Sequence, residues 1–191
     1  KEILVDGNQE AIAGHRSMLG DLRTMKELAL RLREKRRKRG SIDFDLPEPE
    51  IVLDLQGRPE SIGRAERNLA HSIIEEFMLA ANEAVASHMA ALPFLYRIHE
   101  PPDPDDVDSL NEFLGPFGLH VAYDAVVAPR DLQPVLSAVS GHALGRVLSR
   151  QILRALMQAR YSTENAGHFG LAFTTYCHFT SPIRRYPDLL V

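Results

Sequence analysis

The sequence predicts an α/β chain of the mixed α+β kind, with long helices packed around a mixed β-sheet. Three observations carry this. Residues 8–39 and 66–90 each repeat apolar side chains at spacings of three and four, the period of a helix with one buried face. Short strand-like runs bounded by glycine or proline stand at 50–56, 61–65, 94–99 and 171–176. At 191 residues, 45% hydrophobic and 25% charged, the chain can bury one substantial core and has none of the composition of a disordered segment.

Composition excludes several classes. A net charge of −4 gives no bulk affinity for polyanions, so any nucleic-acid site must come from local clustering. Cys177 is the single cysteine, which rules out a disulfide framework and a cysteine-based zinc site and fits a reducing cytoplasm. No apolar run approaches the roughly 18 residues of a membrane span, and no signal peptide is visible. The chain starts at Lys1 rather than Met and stops at Val191 inside an apolar, helix-like run. It reads as a piece of a longer protein, cut at both ends.

In chain order, Asp6 or Asn8 caps the first helix, and Ile12, Leu19, Leu22, Met25, Ala29 and Leu32 form its apolar face. Its end carries Arg36, Arg37, Lys38 and Arg39 before Gly40, a residue suited to the C-cap. Those cations either answer the helix dipole or track a phosphate backbone. Phe44, between Asp43 and Asp45, is either a half-buried anchor or a platform on which a base stacks. Residues 50–56 and 61–65, around Gly57-Arg58-Pro59, read as a hairpin.

In the second helix Ala70, Ile73, Ile74, Phe77, Met78, Ala81, Ala84 and Val85 form the stripe expected to be buried. Glu76 and Glu83 fall on the far side and are expected in solvent. His71, Glu75 and Asn82 line one margin of the stripe, where a carboxylate faces a cleft or a partner, or is ordinary boundary polarity. The run 94–99 reads as a strand and 103–117 as a helix closed by Gly118, with further helices at 130–139 and 143–159. Asp103, Asp105, Asp106 and Asp108 resemble a magnesium site, but Asp and Pro at a helix start are what capping requires, and capping is the reading taken. His99, His168 and His178 lack helical metal-ligand spacing and read as structural.

The final stretch concentrates the chemistry. Ser181 suits an N-cap and Pro182 the first helical position, so a helix start there would aim amide donors at an anion, with Arg184 and Arg185 gripping a phosphate. A short helix with two solvated arginines is the other reading, and Pro187 allows a second helix start.

The run Gly167-His168-Phe169-Gly170-Leu171-Ala172, followed by His178-Phe179-Thr180-Ser181-Pro182-Ile183-Arg184-Arg185-Tyr186-Pro187-Asp188, resembles the catalytic domain of the ribonuclease II / ribonuclease R family, closest to the ribonuclease R branch. Arg39-Gly40-Ser41-Ile42-Asp43-Phe44, the run from His71 to Asn82, and Tyr96-Arg97-Ile98-His99-Glu100 extend the resemblance across the chain. The resemblance implies part of an RNB-type domain over residues 1–191. It implies a processive 3′→5′ exoribonuclease that hydrolyses single-stranded RNA to 5′-nucleoside monophosphates at a Mg²⁺ site. It also implies roles: Arg184 catalytic, gripping the scissile phosphate; Glu75 reading the 2′-OH; Phe44 clamping stacked 3′ bases; Arg185 in support. The aspartates that hold the metal would precede Lys1, so no metal ligand is expected within these residues, and the chain alone is expected to be inactive. Single-stranded RNA is the expected partner, with no DNA and no membrane, and an exposed sheet edge predicts self-association. Two other readings stand beside this one: a non-catalytic RNA-binding or protein-interaction module of the same fold, and a plain helical scaffold.

Overall fold

The long basic helix expected over 8–39 is interrupted once. In the computed structural model, which describes residues 1–43, 49–64 and 68–191, it is divided into α1 (Gln9–Gly14), a 3₁₀ turn (Arg16–Met18) and α2 (Leu19–Arg39). Asn8 Oδ1 accepts the Glu10 and Ala11 N–H groups and starts α1. Gly40 ends α2 at φ 107°, a left-handed conformation only glycine adopts without strain, and a Cβ there would meet the Arg130 backbone nitrogen at 2.8 Å.

Strands β1 (Pro49–Leu53) and β2 (Pro59–Arg64) form the anticipated hairpin, with Pro49 opposite Arg64 and Ile51 opposite Ile62. Pro49 stands at the first strand position, where its missing N–H is tolerated. Helix α3 (Leu69–His88) starts on Asn68, whose Oδ1 accepts the Ala70 and His71 N–H groups while His71 Nδ1 accepts the Asn68 N–H. Strand β3 (Tyr96–Ile98) pairs antiparallel with β4 (Arg160–Ser162), and one parallel bridge joins His99 to His168. The class is the mixed helix-and-strand one expected, but the described strands form two separate two-stranded antiparallel ribbons rather than one mixed sheet. Residues 171–176, expected to be extended, form no strand: a 3₁₀ turn runs Phe169–Leu171 and Ala172 stands at φ 53°.

Helices α4 (Pro104–Leu114), α5 (Pro129–Ser140) and α6 (Gly145–Ala155) enclose the larger core, where Val107, Leu114, Val139, Leu148 and Ile152 are almost fully buried. Asp103 caps α4, its Oδ1 accepting the Asp105 N–H, as capping chemistry predicts. A smaller core of Ala86, Phe94, Tyr96, Ile98 and Cys177 joins α3 to β3 and the C-terminal segment. That segment ends in α7 (Pro187–Leu190). Ser181 therefore does not cap a helix: residues 182–184 are a turn, in which the Ser181 carbonyl accepts the Arg184 and Arg185 N–H groups. The start at Pro187 prevails over the start at Pro182.

Candidate nucleic-acid interface

The basic end of α2 points two ways. Arg36 faces inward: its Nη2 lies 2.7 Å from Glu76 Oε1, its Nε 3.4 Å from Oε2, and Nη1 donates to Ser41 Oγ at 3.1 Å. Both charges are buried, Arg36 at 6% and Glu76 at 3% exposure. This corrects two expectations. Arg36 does not offer its charge to an RNA backbone, and Glu76 is not in solvent. Arg39 Nη1 pairs with Glu83 Oε1 at 2.7 Å, and its guanidinium lies 4.5 Å over the Phe173 ring, so it too is committed within the fold. Arg37 and Lys38 face solvent and share Glu34, whose carboxyl Arg37 holds below its usual range.

One signal for this was present in the sequence. Arg36 continues the three-and-four spacing of Ala29 and Leu32, so it lies on the buried face of α2. The buried carboxylate it needs is forty positions away and outside any local pattern.

The margin of α3 identified by periodicity forms one wall of a cleft of about 300 Å³. Glu75, half-buried, stands there with His71 and Asn82, above an apolar floor that includes Met78 and Leu79. Tyr176 and Arg185 form the other wall. Asn82 is 1% exposed; its Nδ2 donates to Tyr176 Oη at 2.9 Å and its Oδ1 accepts the Phe179 N–H at 3.0 Å. Tyr176 stacks on Phe173 at 5.4 Å between centroids, so Arg39, Phe173 and Tyr176 form one column behind the cleft.

Asp188 anchors the Arg184-Arg185 turn. Its buried Oδ1 accepts the Ser181 N–H at 2.7 Å and Arg185 Nη2 at 2.8 Å. Burial works to raise the Asp188 carboxyl, but the Arg185 and Ser181 bonds prevail and hold it below its usual range. Arg184 is exposed beside this anchored pair, while the Arg185 side chain keeps 21% exposure. Phe44 lies outside the described residues. Sequence reasoning missed Glu76, Phe173, Tyr176 and Asp188, whose roles come from partners distant in the chain or from a turn it read as a helix.

The three histidines converge after all, around Tyr176. His168 and His178 meet its ring edge-on at 5.3 and 5.8 Å, and His99 meets His168 at 5.1 Å. Burial, together with neighbouring positive groups, lowers His168 to about 3 and His178 to about 4, so both are neutral near pH 7. His178 Nδ1 is hydrogen-bonded to Tyr161 Oη at 2.8 Å. Among the described residues no three His, Cys, Asp or Glu side chains gather to hold a metal ion, and Asp103 is engaged as a cap. The described residues therefore do not fit a magnesium site.

Glu75 on one wall and Arg185 on the other give the cleft a group that can accept a hydroxyl proton and a group that can attract negative charge. The RNB domain family matches residues 1–191, and the chain belongs to that family. It is 46% identical over 177 residues to ribonuclease R of Aquifex aeolicus, an alignment covering 92% of this chain and 25% of that protein. The structure of Mycoplasma genitalium RNase R in complex with ribose-methylated single-stranded RNA aligns with a TM-score of 0.86 at 30% identity, over 91% of this chain and 28% of that one. The same protein in complex with double-stranded RNA gives 0.87 at 30% identity, over 91% of this chain and 32% of that one. The chain thus spans about a quarter of the length of the Aquifex relative. Among the described residues no helix is long and apolar enough to cross a membrane.

Proposed function

We propose that the chain forms part of the catalytic domain of a cytoplasmic, processive 3′→5′ exoribonuclease that hydrolyses single-stranded RNA, rather than DNA, to 5′-nucleoside monophosphates. The observation that carries the reading is that Glu75 and Arg185 line one cleft, with Arg184 exposed beside it, in a chain of the RNB family. Glu75 supplies a carboxylate that accepts a ribose 2′-OH. Arg185, fixed by Asp188, keeps positive charge on the opposite wall. Arg184 is free to turn toward a phosphate, where its guanidinium neutralises charge developing on the phosphoryl oxygens, a purely electrostatic contribution. Phe44 is assigned a stacking role worth about 1–3 kcal/mol per base, indifferent to sequence. The reading expects a magnesium requirement, met by carboxylates outside these residues, and this chain's own share is grip and alignment.

The test is single-turnover degradation of a labelled single-stranded RNA by the full-length protein. Arg184→Ala should lower the rate of monophosphate release by about 10² to 10³, the cost of losing one preorganised electrostatic donor. The 191-residue chain alone should release none. A rate within threefold of wild type for Arg184→Ala, or robust release by the chain alone, would overturn the reading.

A further inference from the structure

We propose that Asn82 is a positioning residue that sets the C-terminal segment against α3 and so fixes the span between Glu75 and the Arg184-Arg185 turn. The inference rests on the exoribonuclease reading and identifies what aligns its two walls.

Asn82 uses its side chain and its carbonyl on one short segment. Nδ2 reaches Tyr176 Oη at 2.9 Å, Oδ1 takes the Phe179 N–H at 3.0 Å, and the Asn82 carbonyl accepts Cys177 Sγ–H at 3.3 Å. Three residues between 176 and 179 are thereby tied to one point on α3. Glu75 precedes that point by two helical turns, about 10 Å along the axis, on the same face. Downstream, Asp188 ties Ser181 to Arg185. The segment between these two anchors carries the turn that exposes Arg184.

The energetics favour a positioning role over a stabilising one. Burying an amide costs its hydration, and its hydrogen bonds return a net of only about 1 kcal/mol each. An apolar side chain of similar volume would fill the space but leave the Phe179 N–H and Tyr176 Oη without these partners. Neither group would then be directed to a fixed point. Tyr176 is also held by Phe173 at 5.4 Å and through its carbonyl, which accepts the Arg97 N–H at 2.9 Å, so loss of Asn82 would free chiefly the stretch from Phe179 to the Arg184-Arg185 turn.

The experiment is a double-mutant cycle on RNA affinity, read by fluorescence anisotropy with a labelled single-stranded oligonucleotide and the full-length protein, below the melting temperature of every variant. Asn82→Ala should weaken binding about tenfold in the wild-type background but less than about twofold when Arg184→Ala and Arg185→Ala are already present, because Asn82 acts through that turn. A merely structural loss would be additive. Tyr176→Phe removes one bond without opening a cavity; it should weaken binding about threefold with the same non-additivity, and it carries the test if Asn82→Ala fails to fold. Equal effects in both backgrounds, or unchanged affinity in a folded variant, would overturn the inference. A wild-type protein that does not bind RNA would sink the exoribonuclease reading first, and this inference with it.

Discussion

The helical unit of α4, α5 and α6 and the region around α3 and the C-terminal segment are closed by opposite means. In the first, Val107, Leu114, Val139, Leu148 and Ile152 pack at 0–1% exposure with no charged side chain in the core. In the second stand all the buried polar and charged residues among those described: Arg36, Ser41, Glu76, Asn82 and Asp188. Apolar packing is non-directional and accepts many arrangements of similar volume. Hydrogen-bonded polar groups accept few, because each has a partner at a set distance and angle. The difference teaches where precision is needed: the unit without a proposed site is packed for stability, and the region with the cleft is pinned in place.

The sharpest way to break this comparison is one substitution in each region. Arg36→Ala leaves Glu76 buried without its cation and should cost about 3–5 kcal/mol by chemical denaturation, the penalty for an uncompensated buried charge. RNA affinity should fall too, because Glu76 adjoins Glu75. Leu114→Ala should cost about 2–5 kcal/mol, as cavity formation in a core does, and leave RNA affinity unchanged in the folded population. The double change Arg36→Met with Glu76→Leu should recover most of the stability but not the affinity. Recovery of both would mean that the ion pair does no positioning.

Much of this architecture was legible in the sequence, and the illegible part has a common cause. Caps depend on neighbours within a few residues, so Asn8, Gly40, Asp103 and Gly118 were all readable, and so was the hairpin turn at Gly57. The margin of His71, Glu75 and Asn82 followed from helical period alone and does line a cleft. Period gives an apolar face but not what packs against a helix, and part of the stripe expected to be buried in α3 is exposed, Ile74 at 55% and Ala84 with it. Glu76 and Glu83 were therefore assigned to solvent, although α2 brings Arg36 and Arg39 to them. Ser181 was read as a cap because its sequence context suits one, but its N–H goes to Asp188, seven residues on, and the helix waits until Pro187. The inward turn of Arg36 was half legible, since it continues the apolar stripe of α2.

A smaller effect sharpens the comparison through pH. His168 and His178 lie only in the pinned region, lowered to about 3 and about 4 chiefly by burial. The unfolded chain takes up these protons near pH 6.5, while the folded chain does so only at the lowered values. Between those limits the unfolded state binds more protons, so stability falls as pH falls. The melting temperature should decline from pH 7 to pH 5, where ordinary carboxylates stay ionised, and His178→Asn should flatten the slope. A melting temperature equal or higher at pH 5 would contradict the buried, neutral assignment.

The smallest effect is expected where the pinned region meets solvent. Lys38 is 74% exposed and only 3.7 Å from Glu34, a surface pair of little energetic consequence. Lys38→Ala should leave the unfolding free energy within about 0.5 kcal/mol of wild type by chemical denaturation, since exposed positions away from caps and networks rarely matter more. In the full-length protein it should weaken RNA binding uniformly across sequences and lower the slope of log affinity against log salt by about one, the signature of one phosphate contact. Arg39→Ala, one residue on, should behave differently, because its charge is spent on Glu83 and the Phe173 face. It should lower stability and leave the salt slope unchanged. Matching salt slopes for the two variants would mean that the inward and outward cations of α2 are not functionally distinct.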